Sequence, residues 1–208
     1  MTRRSKSSDR WLREHFTDPF VKRARAAGWR SRAVFKLEAM DKSARLLKPG
    51  MVVLDLGAAP GAWSQYARRQ VGRSGRVVAS DILPMEPIAG VEFIHGDFRE
   101  QPVVDAIEAA VGAAGLDVLL SDMAPNLSGM DVIDAPRAIY LAELALALTV
   151  HLLKPEGVAL MKVLQGAGFQ EFVAAARRQF AQVRFLKPEA SRSRSPETYL
   201  LASGRRMV

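Results

Sequence analysis

Acids stand at or near the ends of four apolar runs: Asp55 in "VLDLG", Asp81 in "RVVASD", Asp97 in "IHGD" and Asp122 in "VLLSD". Carboxylates placed this way accept from hydroxyl and amino groups, or face a cation. The first run leads into "GAAPGAW", where Gly57 and Gly61 let the backbone approach a ligand closely. A phosphate is poorly served here. The stretch has neither G-x-x-x-x-G-K-[ST] nor G-x-G-x-x-G, and Pro60 brings no N–H to a pyrophosphate. A nicotinamide dehydrogenase is therefore poorly supported. S-adenosylmethionine, with an amino acid end, a ribose and an adenine but no phosphate, suits the acids better. Gly57 and Gly61 would then meet its methionyl portion, and Asp81 the ribose hydroxyls. Ile82 would lie on the adenine face and Asp97 would accept from the adenine amino group, with Phe98 packed nearby. Asp122 would stand beside the sulfonium.

Lys162 is the second chemical oddity, because "VALMKVL" is an apolar run in which a lysine is out of place. A lysine held inside such a run, rather than reaching to solvent from its end, is a candidate general base. The histidines, His15, His95 and His151, have no ligand spacing, and cysteine is absent. No metal site, disulfide or cysteine nucleophile is expected.

These residues need a scaffold, and the hydrophobic pattern supplies one. "MVVLDLG", "RVVASD", "VEFIHGD", "LDVLLSD" (116–122) and "VALMKVL" read as strands. The fourth shows no polar alternation, as a central parallel strand covered on both faces should not. Helices are predicted from Ser31 to before Pro49-Gly50, over "GAWSQYARRQVG", around 100–114, over about 135–153 up to "KPEG", and over "GFQEFVAAARRQF". "QVRFLK" and "TYLLAS" would close the sheet as a hairpin-like pair. Alternating strands and helices make the class α/β with a mostly parallel sheet. The segment 1–30, with Pro19 and Gly28 as breakers, reads as irregular or short-helical. No internal repeat is present.

The 208 residues suit one domain, and the formal charge is +8. Lysine and arginine outnumber acids from Met1 to Arg32, where Trp11, Phe16, Phe20 and Trp29 are interleaved. Basic residues with aromatics suit RNA, whose phosphates pair and whose bases stack. The start has no apolar h-region of a secretory signal, and no run reaches the roughly 20 apolar residues of a membrane span. A cytoplasmic, membrane-free monomer is expected.

"GWRSRAVFKL", "LDLGAAPGAWSQ", "SDILPM", "GDF" and "SDMAPNLSG" together resemble the FtsJ-type (RrmJ, or RlmE) ribosomal RNA large-subunit 2′-O-methyltransferases, from about Trp29 to Gly204. The resemblance implies a Rossmann-like class I methyltransferase with a seven-stranded sheet whose last strand is antiparallel. It implies transfer of a methyl group from S-adenosylmethionine to a uridine ribose in the A-loop of 23S rRNA, within the large subunit or its late precursor. The family's cofactor residues fall on Gly61, Trp63, Asp81, Asp97 and Asp122, and its catalytic tetrad on Lys36, Asp122, Lys162 and Glu197. Ala62 departs from the family's "PGGW", and Pro196 before Glu197 is a second departure.

Lys36 and Glu197 are promoted to the site by this resemblance alone. In the chemistry it implies, Lys162 accepts the 2′-hydroxyl proton and Asp122 holds the ammonium, while Lys36 and Glu197 orient the ribose. Burial and Lys36 would favour the neutral amine, Asp122 and Glu197 the charged one. Residues 1–30 are expected as an RNA-contacting extension and 31–208 as the methyltransferase domain. Lys22, Arg23, Arg25, Arg30 and Arg32, with Arg192 and Arg194 of "SRSRS", would hold the RNA backbone. Alternatives are a 2′-O-methyltransferase of tRNA or an mRNA cap, or a non-catalytic ribosome-assembly factor of the same fold.

Overall fold

The computed structural model describes residues 18–125, 128–191 and 195–206. Trp11, Phe16, Arg192 and Arg194 lie outside the described residues.

Five strands run parallel: β1 (Val52–Leu56), β2 (Arg76–Asp81), β3 (Val91–His95), β4 (Leu116–Ser121) and β5 (Leu153–Leu164). The hairpin-like pair follows as β6 (Phe180–Leu186) and β7 (Glu197–Arg205), and β7 enters the sheet antiparallel between β5 and β6. The seven-stranded order is β3-β2-β1-β4-β5-β7-β6. Strand order reverses at β1, so the crevice beyond the carboxyl ends of β1 and β4 is where such a sheet takes a ligand.

The central strands are buried on both faces, which accounts for their lack of alternation. One face carries α1 (Pro19–Ala26), α2 (Val34–Ala44) and α3 (Ala62–Val71), whose Ala24, Leu37, Met40 and Ala67 pack with Val53 and Leu120. The other carries α4 (Gln101–Val111), α5 (Asp131–Leu152) and α6 (Phe169–Gln179), which bury Ile107, Leu146 and Phe172 against Leu54 and Leu119. No helix among the described residues is long and apolar enough to cross a membrane.

Three boundaries differ from the sequence reading, each for a local reason. The helical spacing from Val34 to Leu47 outlasts its helix. Arg45 turns left-handed at φ 53°, and the Leu47 N–H donates to Asp41 Oδ1 at 2.9 Å, so Leu46 and Leu47 stay buried without being helical. The long helix begins at Asp131, ahead of the expected start near Ala135. The Asp134 carboxylate accepts from Ser128 N, Ser128 Oγ and Gly129 N, each at 2.9 Å, and ties down the approach to the helix. "KPEG" ends α5 as expected but is absorbed into β5, where pairing jumps from Leu116↔Leu153 to Val118↔Val158. Residues 19–26, read as irregular or short-helical, are α1, and Val21 and Ala24 bury against the fold.

Candidate active site

Beyond β1 the chain turns at Gly57 (φ 73°) and Gly61 (φ 105°), conformations that glycine adopts without strain. The crowding at both is internal. A Cβ at Gly57 would come within 2.7 Å of Met123 Cγ, and one at Gly61 within 2.8 Å of Ile88 and Met85. Gly61 caps α3, leaving Ala62 and Trp63 in its first turn, where backbone N–H groups have no helical partner. Alanine at 62 is buried at 2% exposure, so the methyl that distinguishes it from glycine is accommodated.

Trp63 is a core residue by its side chain. Its Nε1–H donates to Ala33 O at 2.8 Å, and its ring lies 5.8 Å from that of Tyr199. Any cofactor contact at this position is made by backbone. Asp81, at the tip of β2, accepts from Ala59 N and Leu83 N, both at 2.8 Å, and so fixes the two loops that flank the crevice. Ile82 beside it is 61% exposed, an open apolar face.

Asp97 and Asp55 are less simply placed than the sequence reading has them. Asp97 is engaged by Arg99, whose Nε–H lies 2.9 Å from both carboxylate oxygens, and this neighbour holds its carboxyl below the usual range. A ligand amino group there would have to displace the guanidinium. Asp55 is not on the rim at all. It precedes the last residue of β1 and is 1% exposed, with Oδ2 accepting from Ser64 Oγ at 2.6 Å and Oδ1 without a partner among the described residues. Burial, against the opposing Ser64 bond, pushes its carboxyl up to about 7, and Asp122 and Asp81 add to the rise.

At the mouth of β4 and β5 the four tetrad residues converge. Lys162 is 9% exposed in its side chain. Its Nζ donates to Asp122 O at 2.6 Å and lies 3.1 Å from Asp122 Oδ1. Lys36 Nζ, from α2, donates to Glu197 Oε1 at 2.7 Å, and Ser191 Oγ donates to the same oxygen at 3.0 Å. Pro196, far from misdirecting Glu197, accepts the Gln165 N–H at 3.2 Å and anchors the start of β7.

Tyr199 joins the two ion pairs, and the sequence reading missed it. Its hydroxyl accepts from Lys36 Nζ at 3.2 Å and donates to Asp122 Oδ1 at 2.7 Å. The signal is present but ambiguous: "TYLLAS" is an apolar strand in which a tyrosine is ordinary, and only the neighbours reveal its role. Burial, with Asp122 and Glu197 nearby, raises its phenol well above the ordinary value, so it is a neutral donor. Desolvation would raise the Asp122 carboxyl, but Lys162, Lys36 and the Tyr199 bond outweigh it and hold it low. Two lysine side chains thus face two carboxylates around one neutral phenol.

The arginines divide. Arg30 donates to Pro60 O (3.0 Å), Glu86 O (2.6 Å) and Pro87 O (2.8 Å), clipping the β1 and β2 loops together. Arg32 binds Asp18 and Ala190 O. Both are occupied within the fold rather than offered to a phosphate. Arg23 lies over the Phe35 ring at 4.5 Å, and Lys22, Arg23 and Arg25 are exposed on α1. Among the described residues no three metal-ligating side chains converge.

The FtsJ-like methyltransferase family model matches residues 29–205. The chain is 58% identical over 207 residues to a ribosomal RNA large subunit methyltransferase E of Xanthomonas oryzae pv. oryzae, covering 100% of this chain and 99% of that protein. A protein of the same name from Stenotrophomonas maltophilia is 58% identical over 206 residues, covering 99% and 98%. Among solved structures, a Plasmodium falciparum chain described as a ribosomal RNA methyltransferase superposes with a TM-score of 0.74 at 23% identity, over 85% of this chain and 98% of that one.

Proposed function

Since the chain belongs to the FtsJ-like methyltransferase family, we propose that it transfers a methyl group from S-adenosylmethionine to the 2′-hydroxyl of a uridine ribose in the A-loop of 23S rRNA. The observation that carries this reading is Lys162, recessed against Asp122 and joined through Tyr199 to the Lys36–Glu197 pair. The names of the relatives support the large-subunit RNA.

The crevice suits that cofactor by its chemistry. Asp81 and Asp122 offer negative charge to a cation and acceptors to hydroxyls, whereas a phosphate would meet carboxylates. Asp81 would take the ribose hydroxyls, Ile82 the adenine face and Asp97 the adenine amino group once Arg99 has moved. The first turn of α3, with Gly61 and the Trp63 backbone, would face the amino acid end. Bound there, the cofactor supplies a methyl on a sulfonium that leaves as a neutral thioether, so no acid is needed for departure.

The chain's own task is the nucleophile. A ribose hydroxyl is weak until its proton leaves, and Lys162, in its amine form, takes that proton as the oxygen gains its new bond to carbon. Asp122 then holds the ammonium through the 3.1 Å contact. Lys36, Glu197 and Ser191 supply donors and acceptors that orient the ribose. The exposed cations of α1, those of the segment 1–17, and Arg192 and Arg194 would hold the RNA backbone. A cytoplasmic monomer fits this work.

Labelled cofactor offered to separate ribosomal, transfer and messenger RNA pools tests the reading. Wild type should label large-subunit RNA at a uridine 2′-oxygen. Lys162→Ala should label it at least about a hundredfold more slowly with cofactor affinity kept. Label in transfer RNA alone, or full turnover by Lys162→Ala, would overturn the proposal.

A further inference from the structure

The sheet ends at β6, which has β7 on one side and no described strand on the other. Along this open edge runs a groove of about 510 Å³, lined by Arg177 of α6, residues 180–184 of β6, and Arg206 just past β7. No acid is among its described lining residues. None of the three guanidinium groups has a hydrogen-bond or ion-pair partner among the described residues. Lys42, Arg76, Arg99 and Lys154, by contrast, each stand beside a carboxylate.

The groove reaches the far end of the strand that carries Tyr199. β7 holds Tyr199 near its start and Arg205 at its end, six residues on and so about 20 Å away. Arg205 pairs with Phe180, which puts Arg206 and the last turn of α6, with Arg177, at that distal end. Arg184 stands between, opposite Leu201.

We propose that this edge of the sheet is a second RNA contact, a track for the sugar–phosphate backbone of the paired RNA that flanks the acceptor loop. It presupposes the ribosomal RNA acceptor above and adds where the rest of that substrate lies. Guanidinium forks match phosphate oxygens two at a time, and three of them in a groove without acids attract a polyanion. Charges that only guard an open edge sit on the strand itself. Two of these come instead from α6 and from beyond β7 to meet on it. Bases have no platform here. Phe180 is 1% exposed, and the open ring of β6, Phe185, lies 5.5 Å from Phe169 and does not line the groove. Single-stranded bases therefore gain little, and contact to a duplex backbone remains.

Two anchors on one strand fix the direction of the RNA as well as its position. The acceptor loop enters the mouth at Lys36 and Lys162 while its stem lies along β6, which stops the stem from swinging about the loop. Such a contact is made equally before and during the transfer, so it lowers KM and leaves kcat alone.

Arg177→Ala with Arg206→Ala removes the distal end of the track. Lys48→Ala with Arg73→Ala, at exposed positions before β1 and β2, removes the same charge elsewhere and is the control. The probes are a large-subunit RNA fragment with the acceptor loop and its stems, and a hairpin of the loop with a few base pairs. For the fragment, filter binding should show the distal pair about tenfold weaker, with a salt slope flatter by up to about 1.8, at roughly 0.9 per lost duplex phosphate contact. KM for the fragment should rise by a similar factor with kcat kept. The distal pair should methylate the short hairpin and bind cofactor as wild type does, and the control pair should match wild type on both RNAs. Unchanged affinity and slope in the distal pair would overturn the track and leave the edge for an extended peptide to join as a strand. An equal loss in the control pair would overturn it too, in favour of diffuse charge. A wild-type protein that methylates no ribosomal RNA would overturn the acceptor reading, and the track with it.

Discussion

Asp55 shows how far one residue's environment can move its chemistry. An ordinary carboxyl ionises near 3.8, yet burial at 1% exposure carries this one to about 7. Its side-chain partner among the described residues, Ser64, is a neutral hydroxyl, which offsets only part of the desolvation. Between the two values the folded protein holds a proton that the unfolded chain has released. The favourable contribution is therefore present at low pH and fades as pH rises toward 7, by up to a few kcal/mol. Asparagine keeps an acceptor for Ser64 and cannot ionise. Thermal melts without cofactor should show Asp55→Asn gaining more on wild type at pH 8.5 than at pH 5. An equal difference at the two pH values would show that the buried charge is not what matters. Tyr199 makes the complementary point: two ion pairs become one cluster through a neutral hydroxyl, which no charge pattern in the sequence would announce.

Elements place these residues, and loops hold the elements in register. Arg30 leaves the chain between α1 and α2, yet all three of its carbonyl partners belong to the loops after β1 and β2. Its backbone N–H also donates to Gln65 Oε1 at 3.0 Å, from α3. An arginine fork satisfies carbonyls at several angles where a lysine serves one point. Arg30→Ala should therefore weaken cofactor binding about tenfold through looser loops, a fraction of the roughly 1.5–3 kcal/mol that each bond from a charged donor contributes. Isothermal titration would measure it. An unchanged affinity would make the clip merely structural, and Arg30→Lys should recover little. The sequence conceals this role because an arginine in a basic segment reads as a phosphate contact. What it does reveal is periodicity: all seven strands lie where apolar runs predict them, most sharply the central β1, β2 and β4, whose burial on both faces leaves little polar interruption. The Leu46–Leu47 turn and the β5 bulge stay hidden because buried leucines keep their spacing after the backbone has left the helix or the regular ladder.

At the scale of the molecule, the tetrad is electrically balanced and cannot account for the +8 charge. The excess must act elsewhere. The segment 1–17 carries Arg3, Arg4, Lys6, Arg10 and Arg13 against Asp9 and Glu14, and α1 adds exposed Lys22 and Arg23. Arg30 and Arg32 are withdrawn from that pool by their bonds within the fold. If the outer cations hold RNA, their contribution must fade with salt, because it arises from released counterions. Cofactor binding, confined to a crevice of short-range contacts, should not follow. Replacing Arg3, Arg4, Lys6, Arg10 and Arg13 with alanine should flatten the plot of log affinity against log salt by up to about 3.5, at roughly 0.7 per lost phosphate contact. Wild type and variant should converge at high salt, with cofactor affinity equal throughout. Filter binding across a salt series would read the slope. A variant that kept the wild-type slope would move the RNA surface off the N-terminal segment and onto the exposed cations of the described fold.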